Sequence, residues 1–141
     1  MKRLKCNVGE YGVIVNQRGE FLILSLPINK EFTKEAWMLP GGRLDEDDQP
    51  ERGLQREVLE ETGLKINVIS PVHTARWGTE DPPKYAVFFL CKSVGKQKVT
   101  LSHEHTEYKW IKFSDIEKIP WHNQNSKIAT KKSKILLAKG F

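Results

Sequence analysis

Pro50 and Gly63 bracket the stretch PERGLQREVLEET, and that bracketing constrains the fold more than any other feature of the chain. Proline lacks the amide hydrogen that a first helical turn leaves unpaired, and glycine accepts the left-handed backbone that ends a helix. With Leu54 and Val58 repeating at i, i+4, the pattern predicts one helix over Pro50 to Thr62. Its surroundings are short and β-rich. YGVIV and FLILSL flank the turn signal NQRG and predict a hairpin, and WMLPGG reads as a strand ending in a bend after the polar insert PINKEFTKEA. Beyond the helix, LKINVIS, VHTARW, KYAVFFLCK, KQKVTLS and EYKWIKF alternate or cluster apolar residues as strands do. GTEDPPK reads as an exposed loop, and SDIEKIP as a capped helical turn stopped by Pro120. NSKIATKKSKILLAKGF reads as an amphipathic terminal helix with Ile128, Ile135 and Leu136 on or near one face. Six or more strands, two main helices and no repeat or linker predict a single domain over residues 1–141.

Successive helical residues turn by about 100°, so Glu60 lies about 60° to one side of Glu57 and Glu61 about 40° to the other. Three carboxylates therefore share one narrow face, bordered by Leu54 and Val58, and Gly53 on the same face leaves room above them. Like charges at these spacings cost a few tenths of a kcal/mol per pair, so something cationic belongs among them. Ligation by oxygen alone suits Mg²⁺, with Mn²⁺ as the alternative. Taken alone, such a run is more often a solvated helix face, since Glu is a good helix former. The neighbourhood reverses that reading. Gly41 to Leu64 holds eight acids against three arginines, inside a chain whose 23 Lys+Arg and 18 Asp+Glu give a net +5. An acidic pocket in a basic field suits a site that binds metal and draws in polyanions. The lysines outside it are scattered, so no stable nucleic-acid complex is expected.

Cys6 and Cys91 lie far apart with no Cys or His cluster around them, which excludes a disulfide framework and a zinc finger. Reduced thiols and a cytoplasmic location are expected. MKRLKCNVGEYGVIV has no apolar signal core, and no apolar run reaches the roughly 20 residues of a membrane span.

From Gly42 onward the spacing resembles the Nudix signature, G-x5-E-x7-R-E-U-x-E-E-x-G-U with U apolar. Gly42 is followed after five residues by Asp48, and after seven more by Arg56, Glu57, Val58, Leu59, Glu60, Glu61, Thr62, Gly63 and Leu64. Of nine specified positions one departs, Asp48 standing where the family has Glu. WMLPGG resembles the family's strand leading into the motif, and LSHEHTEYKWIKFSDI its late strand and short helix. The resemblance implies an α/β/α sandwich with a mixed β-sheet, and hydrolysis of a nucleoside diphosphate linked to another group. It also implies that Glu57, Glu60 and Glu61 bind Mg²⁺, with the Gly42 carbonyl as a further ligand. Gly41 and Asp48 support the site, and Arg56 holds the acidic loop by a charge-assisted bond. The carboxylate that takes the proton of the attacking water is Glu57 in some members and a loop residue in others, here Glu104 or Glu107.

Among family members the single-domain layout and LPGG resemble MutT-type nucleoside triphosphate pyrophosphatases, which is the leading expectation. LSHEHTEYKWI resembles dinucleoside tetraphosphate hydrolases, a second possibility, and a non-catalytic nucleotide-binding module is a third. In MutT-type enzymes an Asn before the last helix reads the base, which points to Asn123; capping that helix is its competing role. Arg76 and Trp77, beside a polar loop, are candidates for the rim of a substrate site, an ordinary hairpin end being the alternative. His103 and His105 read as loop residues, and Trp110 as core.

Overall fold

The computed structural model describes residues 1–30, 33–78, 81–96 and 98–141. Seven strands, β1 (Asn7–Val15), β2 (Phe21–Ser25), β3 (Trp37–Met38), β4 (Gly41–Arg43), β5 (Ile66–Trp77), β6 (Lys84–Ser93) and β7 (Tyr108–Ile111), form one sheet. Its main order is β3-β2-β1-β6-β5, with β4 paired to β1 and β7 to β2. β1 runs parallel to β6, from Asn7 opposite Lys84 to Val15 opposite Lys92, and every other pairing is antiparallel. The sheet is therefore mixed, as expected.

Alternation along the strands splits the core in two. Val13, Val15, Phe88 and Leu90 join the cluster that includes Ala129 of helix α2 (Gln124–Ala138). Ile14, Phe89 and Cys91 join the cluster that includes Leu54 and Val58 of helix α1 (Pro50–Thr62). A helix on each face makes the α/β/α sandwich. α1 has the expected bounds, with Pro50 in its first turn and Gly63 at φ 72° donating its N–H to the Leu59 carbonyl. Among the described residues, no helix is long and apolar enough to cross a membrane.

Four local expectations are corrected. KQKVTLS forms no strand among its described residues, Gln97 lying outside them. Its amides go elsewhere: Thr100 donates to the Thr62 carbonyl at 2.8 Å and Ser102 to the Glu61 carbonyl at 2.9 Å, serving the carbonyls that α1 leaves open at its end. LKINVIS and VHTARW merge into the single strand β5, with register shifts between Val68 and Ser70 and between Pro71 and His73. Pro71 has no N–H for the ladder, so a bulge absorbs what looked like a break. The turn Phe113–Lys118 is a 3-10 helix preceded by Lys112, which has no short side-chain oxygen and makes no cap. In α2 the buried residues are Ser126, Ala129, Thr130 and Ser133, while Ile128 and Ile135 are 39% and 57% exposed. Small residues let this helix lie close on the sheet, and the isoleucines fall outside the contact.

That close approach is testable. Ala129→Leu overpacks a fully buried position and should cost roughly 1–3 kcal/mol, whereas Ile135→Lys should stay within about 0.5 kcal/mol. Urea unfolding of both variants measures the difference, and equal losses would contradict the assignment of the buried face.

Candidate active site

β4 brings the site together. It pairs with β1 so that Glu10 lies opposite Gly42 and Tyr11 opposite Gly41. Gly41 has φ 147°, and a Cβ there would collide with the Glu10 carbonyl oxygen and lie 2.7 Å from the Tyr11 Cα. Only glycine allows the strand to lie this close. In that position the Gly41 N–H donates to Glu61 Oε1 at 3.1 Å. Gly42 in turn lies under Glu57, whose Oε2 would be 3.1 Å from a Gly42 Cβ.

Arg56 ties the acidic loop to α1. Its guanidinium donates to Asp48 Oδ2 at 2.6 Å, to Asp45 Oδ2 at 2.9 Å and to Glu60 Oε1 at 3.3 Å, with Glu57 Oε1 at 3.5 Å. The loop-holding contact expected of Arg56 is present, and Asp48 despite its shorter side chain is the nearest partner. Burial pushes the Glu57 carboxyl above the ordinary range; Arg56 opposes the shift, and Glu61 and Glu60 add to it.

The loop before β7 contributes a residue that the sequence reading treated as ordinary. His105 is buried, with Nδ1 2.8 Å from the Ser25 carbonyl and Nε2 3.1 Å from Glu61 Oε2. A carbonyl can only accept, so Nδ1 carries a hydrogen. Desolvation lowers the His105 pKa, but the bonds to Glu61 and Ser25 outweigh it and hold the pKa above the usual histidine value. Burial raises Glu61, against the opposing pull of His105 and the Gly41 amide. Glu104 joins this pair: one ligand atom each from Glu61, Glu104 and His105 fall within 4.8 Å of one another. Glu107 does not join it; it is exposed, and its backbone is bonded to Ser25. His103 is exposed, as expected of a loop residue.

A second missed residue is Glu10. It is 1% exposed and neither carboxylate oxygen has a partner among the described residues. The space left by Gly53 is where it lies, since a Cβ on Gly53 would collide with Glu10 Oε1. The readable signals were an acid inside a β run and a glycine in mid-helix.

On the opposite face of the sheet a cavity of about 150 Å³ is lined by Tyr11, Met38, Trp77, Lys84, Phe88 and Asn123, among others. Tyr11 stacks on Phe88 with ring centroids 5.3 Å apart, and Lys84 donates to the Tyr11 hydroxyl at 3.0 Å. Asn123 has both features anticipated for it: it lines the cavity, and its Oδ1 caps α2 by accepting from the Asn125 N–H at 2.7 Å. Arg76 and Trp77 part company. Trp77 lines the cavity, whereas Arg76, opposite Tyr85, is exposed on the face that carries Glu10. Trp110 packs against the α1-side core, as expected.

Residues 8–132 match the family model of the NUDIX domain. The chain belongs to the Nudix family. It is similar to a MutT-like protein of Streptomyces ambofaciens, 33% identical over 105 residues that cover 74% of this chain and 63% of that protein. The asymmetrical bis(5'-nucleosyl)-tetraphosphatase of Caenorhabditis elegans is 28% identical over 104 residues, covering 71% of this chain and 72% of that one. The crystal structure of a MutT protein from Methanosarcina mazei Go1 superposes with a TM-score of 0.78 at 25% identity, covering 97% of this chain and 99% of that chain. The protein is thus a Nudix hydrolase acting on nucleotide phosphoanhydrides.

Nudix hydrolases generally use divalent metals, and the residues around the Nudix helix α1 fit one. Carboxylates of Glu57, Glu60, Glu61 and Glu104 and the Gly42 carbonyl are hard oxygen donors. Burial without enough compensating positive charge leaves Glu57 and Glu61 above the ordinary carboxylate range, a surplus of negative charge that a cation relieves.

Glu10 gives the metal-free protein a defined pH response. Burial, then the charges of Asp48 and Glu57, push its carboxyl from 4.5 up to about 7. A raised folded-state pKa favours the protonated form, so the stability it supplies is complete below the unfolded value and lost as pH rises through about 7. With chelator present, Glu10→Gln should gain on the wild type by roughly 3 kcal/mol between acid and mildly alkaline pH. Parallel stability curves in urea unfolding would show that Glu10 does not titrate in this way.

Proposed function

We propose that the protein is a Mg²⁺-dependent nucleoside triphosphate pyrophosphatase of the MutT type. The observation that carries this reading is the position of one aromatic-walled cavity immediately across β1 from the carboxylates: Tyr11 lines the cavity, and its neighbour Glu10 lies on the face of α1. A base seated against Tyr11, Trp77 and Phe88 directs its phosphates around the sheet edge toward Gly41 and Gly42. The MutT-like relative from Streptomyces ambofaciens supports the same assignment.

In this reading Glu57, Glu60, Glu61 and the Gly42 carbonyl hold Mg²⁺, or Mn²⁺ in its place, with Glu104 as an added ligand. When bound, the ion neutralises phosphate charge and lowers the pKa of a coordinated water. Glu57, which lies over Gly42 of β4, takes the proton of the attacking water. The Gly41 amide and His105 fix both oxygens of Glu61, so that ligand needs no reordering. Arg56 and Asp48 keep the loop closed over α1. Arg76, on the carboxylate face, meets the outer phosphates, and the Asn123 amide hydrogens meet the base, its Oδ1 being engaged in the cap.

The second reading, a dinucleoside polyphosphate hydrolase, is favoured by the similarity to the Caenorhabditis elegans tetraphosphatase. A panel of nucleoside triphosphates and dinucleoside tetraphosphates, scored for pyrophosphate against mononucleotide products, separates the two. Pyrophosphate release from one or a few triphosphates, absent with chelator, is expected; a higher kcat/KM on dinucleoside tetraphosphates would transfer the assignment to the second reading. Glu57→Gln should lower kcat by about 10²-fold or more while leaving the fold intact, and unchanged turnover at saturating Mg²⁺ would remove Glu57 from the reaction.

Asn123→Ala tests the base side. Loss of the cap should lower stability by about 1 kcal/mol, and loss of the amide should reduce kcat/KM for the preferred triphosphate and blur base ranking. Lowered stability with an unaltered ranking would confine Asn123 to capping.

A further inference from the structure

Val72 and Trp77 of β5 both pack on the α2-side core, although they stand an odd number of residues apart and strict alternation would send them to opposite faces. The register shift between Pro71 and His73 resolves the conflict. It inserts one residue, so Val72 and His73 turn to the same face and the phase after them is reversed. His73 comes to lie opposite Phe88, and further along that face Trp77 reaches the cavity while Arg76 points away. Among the described residues β5 is an edge strand paired with β6 alone, so no ladder on its outer side holds this phase.

His73 fastens the strand to α2 at this point. An ammonium only donates, so Lys132 Nζ, 3.0 Å away, makes Nδ1 of His73 the accepting nitrogen. The ring hydrogen therefore sits on Nε2, which donates to Asn125 Oδ1 at 2.9 Å. Asn125 in turn donates its backbone N–H to Asn123 Oδ1 at 2.7 Å. With that oxygen taken, the Asn123 side chain offers the cavity only its Nδ2 hydrogens. The His73 ring also tilts against Phe88, with centroids 5.5 Å apart. Phe88 is the ring on which Tyr11 stacks at 5.3 Å and beside which Trp77 lies at 6.3 Å. One histidine that does not itself line the cavity thus braces both its amide and its aromatic wall.

We propose that His73 is a positioning residue for base discrimination: through Asn125 it locks the Asn123 amide with its hydrogens toward the base, and through Phe88 it steadies the rings beside it. This rests on the reading of the cavity as the base site. The carboxylates lie across the sheet, so His73 acts on the fit of the base and not on the chemical step. Its loss therefore belongs in KM and in the ranking of bases, with kcat at saturating substrate nearly unchanged.

Steady-state kinetics on a panel of nucleoside triphosphates with Mg²⁺ test this. His73→Phe keeps a ring against Phe88 and removes both hydrogen bonds; His73→Gln keeps an N–H for Asn125 and an oxygen for Lys132. His73→Phe should raise KM for the preferred triphosphate about fivefold or more and narrow the spread of kcat/KM among bases, with kcat within about twofold. His73→Gln should restore most of the loss. Asn125→Ala leaves the ring, the strand and the capping N–H in place, so it should reproduce the narrowing and decides the matter should His73→Phe not fold. In an Asn123→Ala background His73→Phe should narrow the ranking no further, because the two act in series. A lowered unfolding midpoint with an unaltered ranking in His73→Phe and Asn125→Ala overturns the proposal, and if Asn123→Ala still blurs the ranking the base site stands without it. No effect of Asn123→Ala on the ranking overturns both. Failure of His73→Gln to restore the ranking, or full additivity with Asn123→Ala, also overturns the proposed route.

Discussion

One hydrogen bond from backbone to side chain organises the rest: the Gly41 N–H to Glu61 Oε1 at 3.1 Å. It exists because residue 41 has no Cβ and β4 can therefore lie against Glu10 and Tyr11 of β1 while its amide reaches the helix. With that contact made, Gly42 falls beneath Glu57 and the following loop is within reach of Arg56. The far end of α1 is fixed by the same logic. Its open carbonyls at Glu61 and Thr62 capture the amides of Ser102 and Thr100, which carries the chain round so that His105 meets the other oxygen of Glu61. A strand, a helix and a loop distant in sequence thus converge on one carboxylate.

Convergence of this kind concentrates charge, and the compensation within the protein is partial. Arg56 serves Asp45, Asp48, Glu57 and Glu60 but remains on the rim, while among the acids His105 serves Glu61. Burying carboxylates against one another costs more than a hydrogen bond returns unless opposite charge completes the set. The site is therefore least comfortable empty. This is the physical sense in which the fold anticipates a cation: the helix, loop and glycines are stable enough to hold the acids together, and the acids are what the ion stabilises.

Local rules made α1 legible from sequence, because Pro50, Gly63, Leu54 and Val58 act within a few residues of one another. The carboxylate face followed from helix geometry, and Arg56 from its spacing. Glu10 and His105 were missed for a common reason. Each owes its role to burial created by elements far away in the chain, β4 and α1 for one and β2 and α1 for the other. The terminal helix failed differently. Its pattern of isoleucines suggested an apolar face, but the sheet accepts Ser126, Ala129 and Ser133 because shape at close range outweighs hydrophobicity there. KQKVTLS has strand-like residues, yet the unpaired end of α1 competed for its amides and won.

The alternation of β1 explains how one strand serves two environments. Glu10 and Tyr11 are consecutive, so their side chains must leave the sheet on opposite faces. Glu10 enters the acidic gap under α1, and Tyr11 stacks on Phe88 and accepts from Lys84 in the cavity beside α2. Their backbones are also the ones that pair with Gly42 and Gly41. A slip of one residue in β1 would exchange the faces, burying the tyrosine against the acids and the acid among aromatic rings. The parallel register with β6, unbroken from Asn7 to Val15, opposes that slip along the whole strand. The separation of an aromatic, cationic pocket from a carboxylate centre is therefore a property of register.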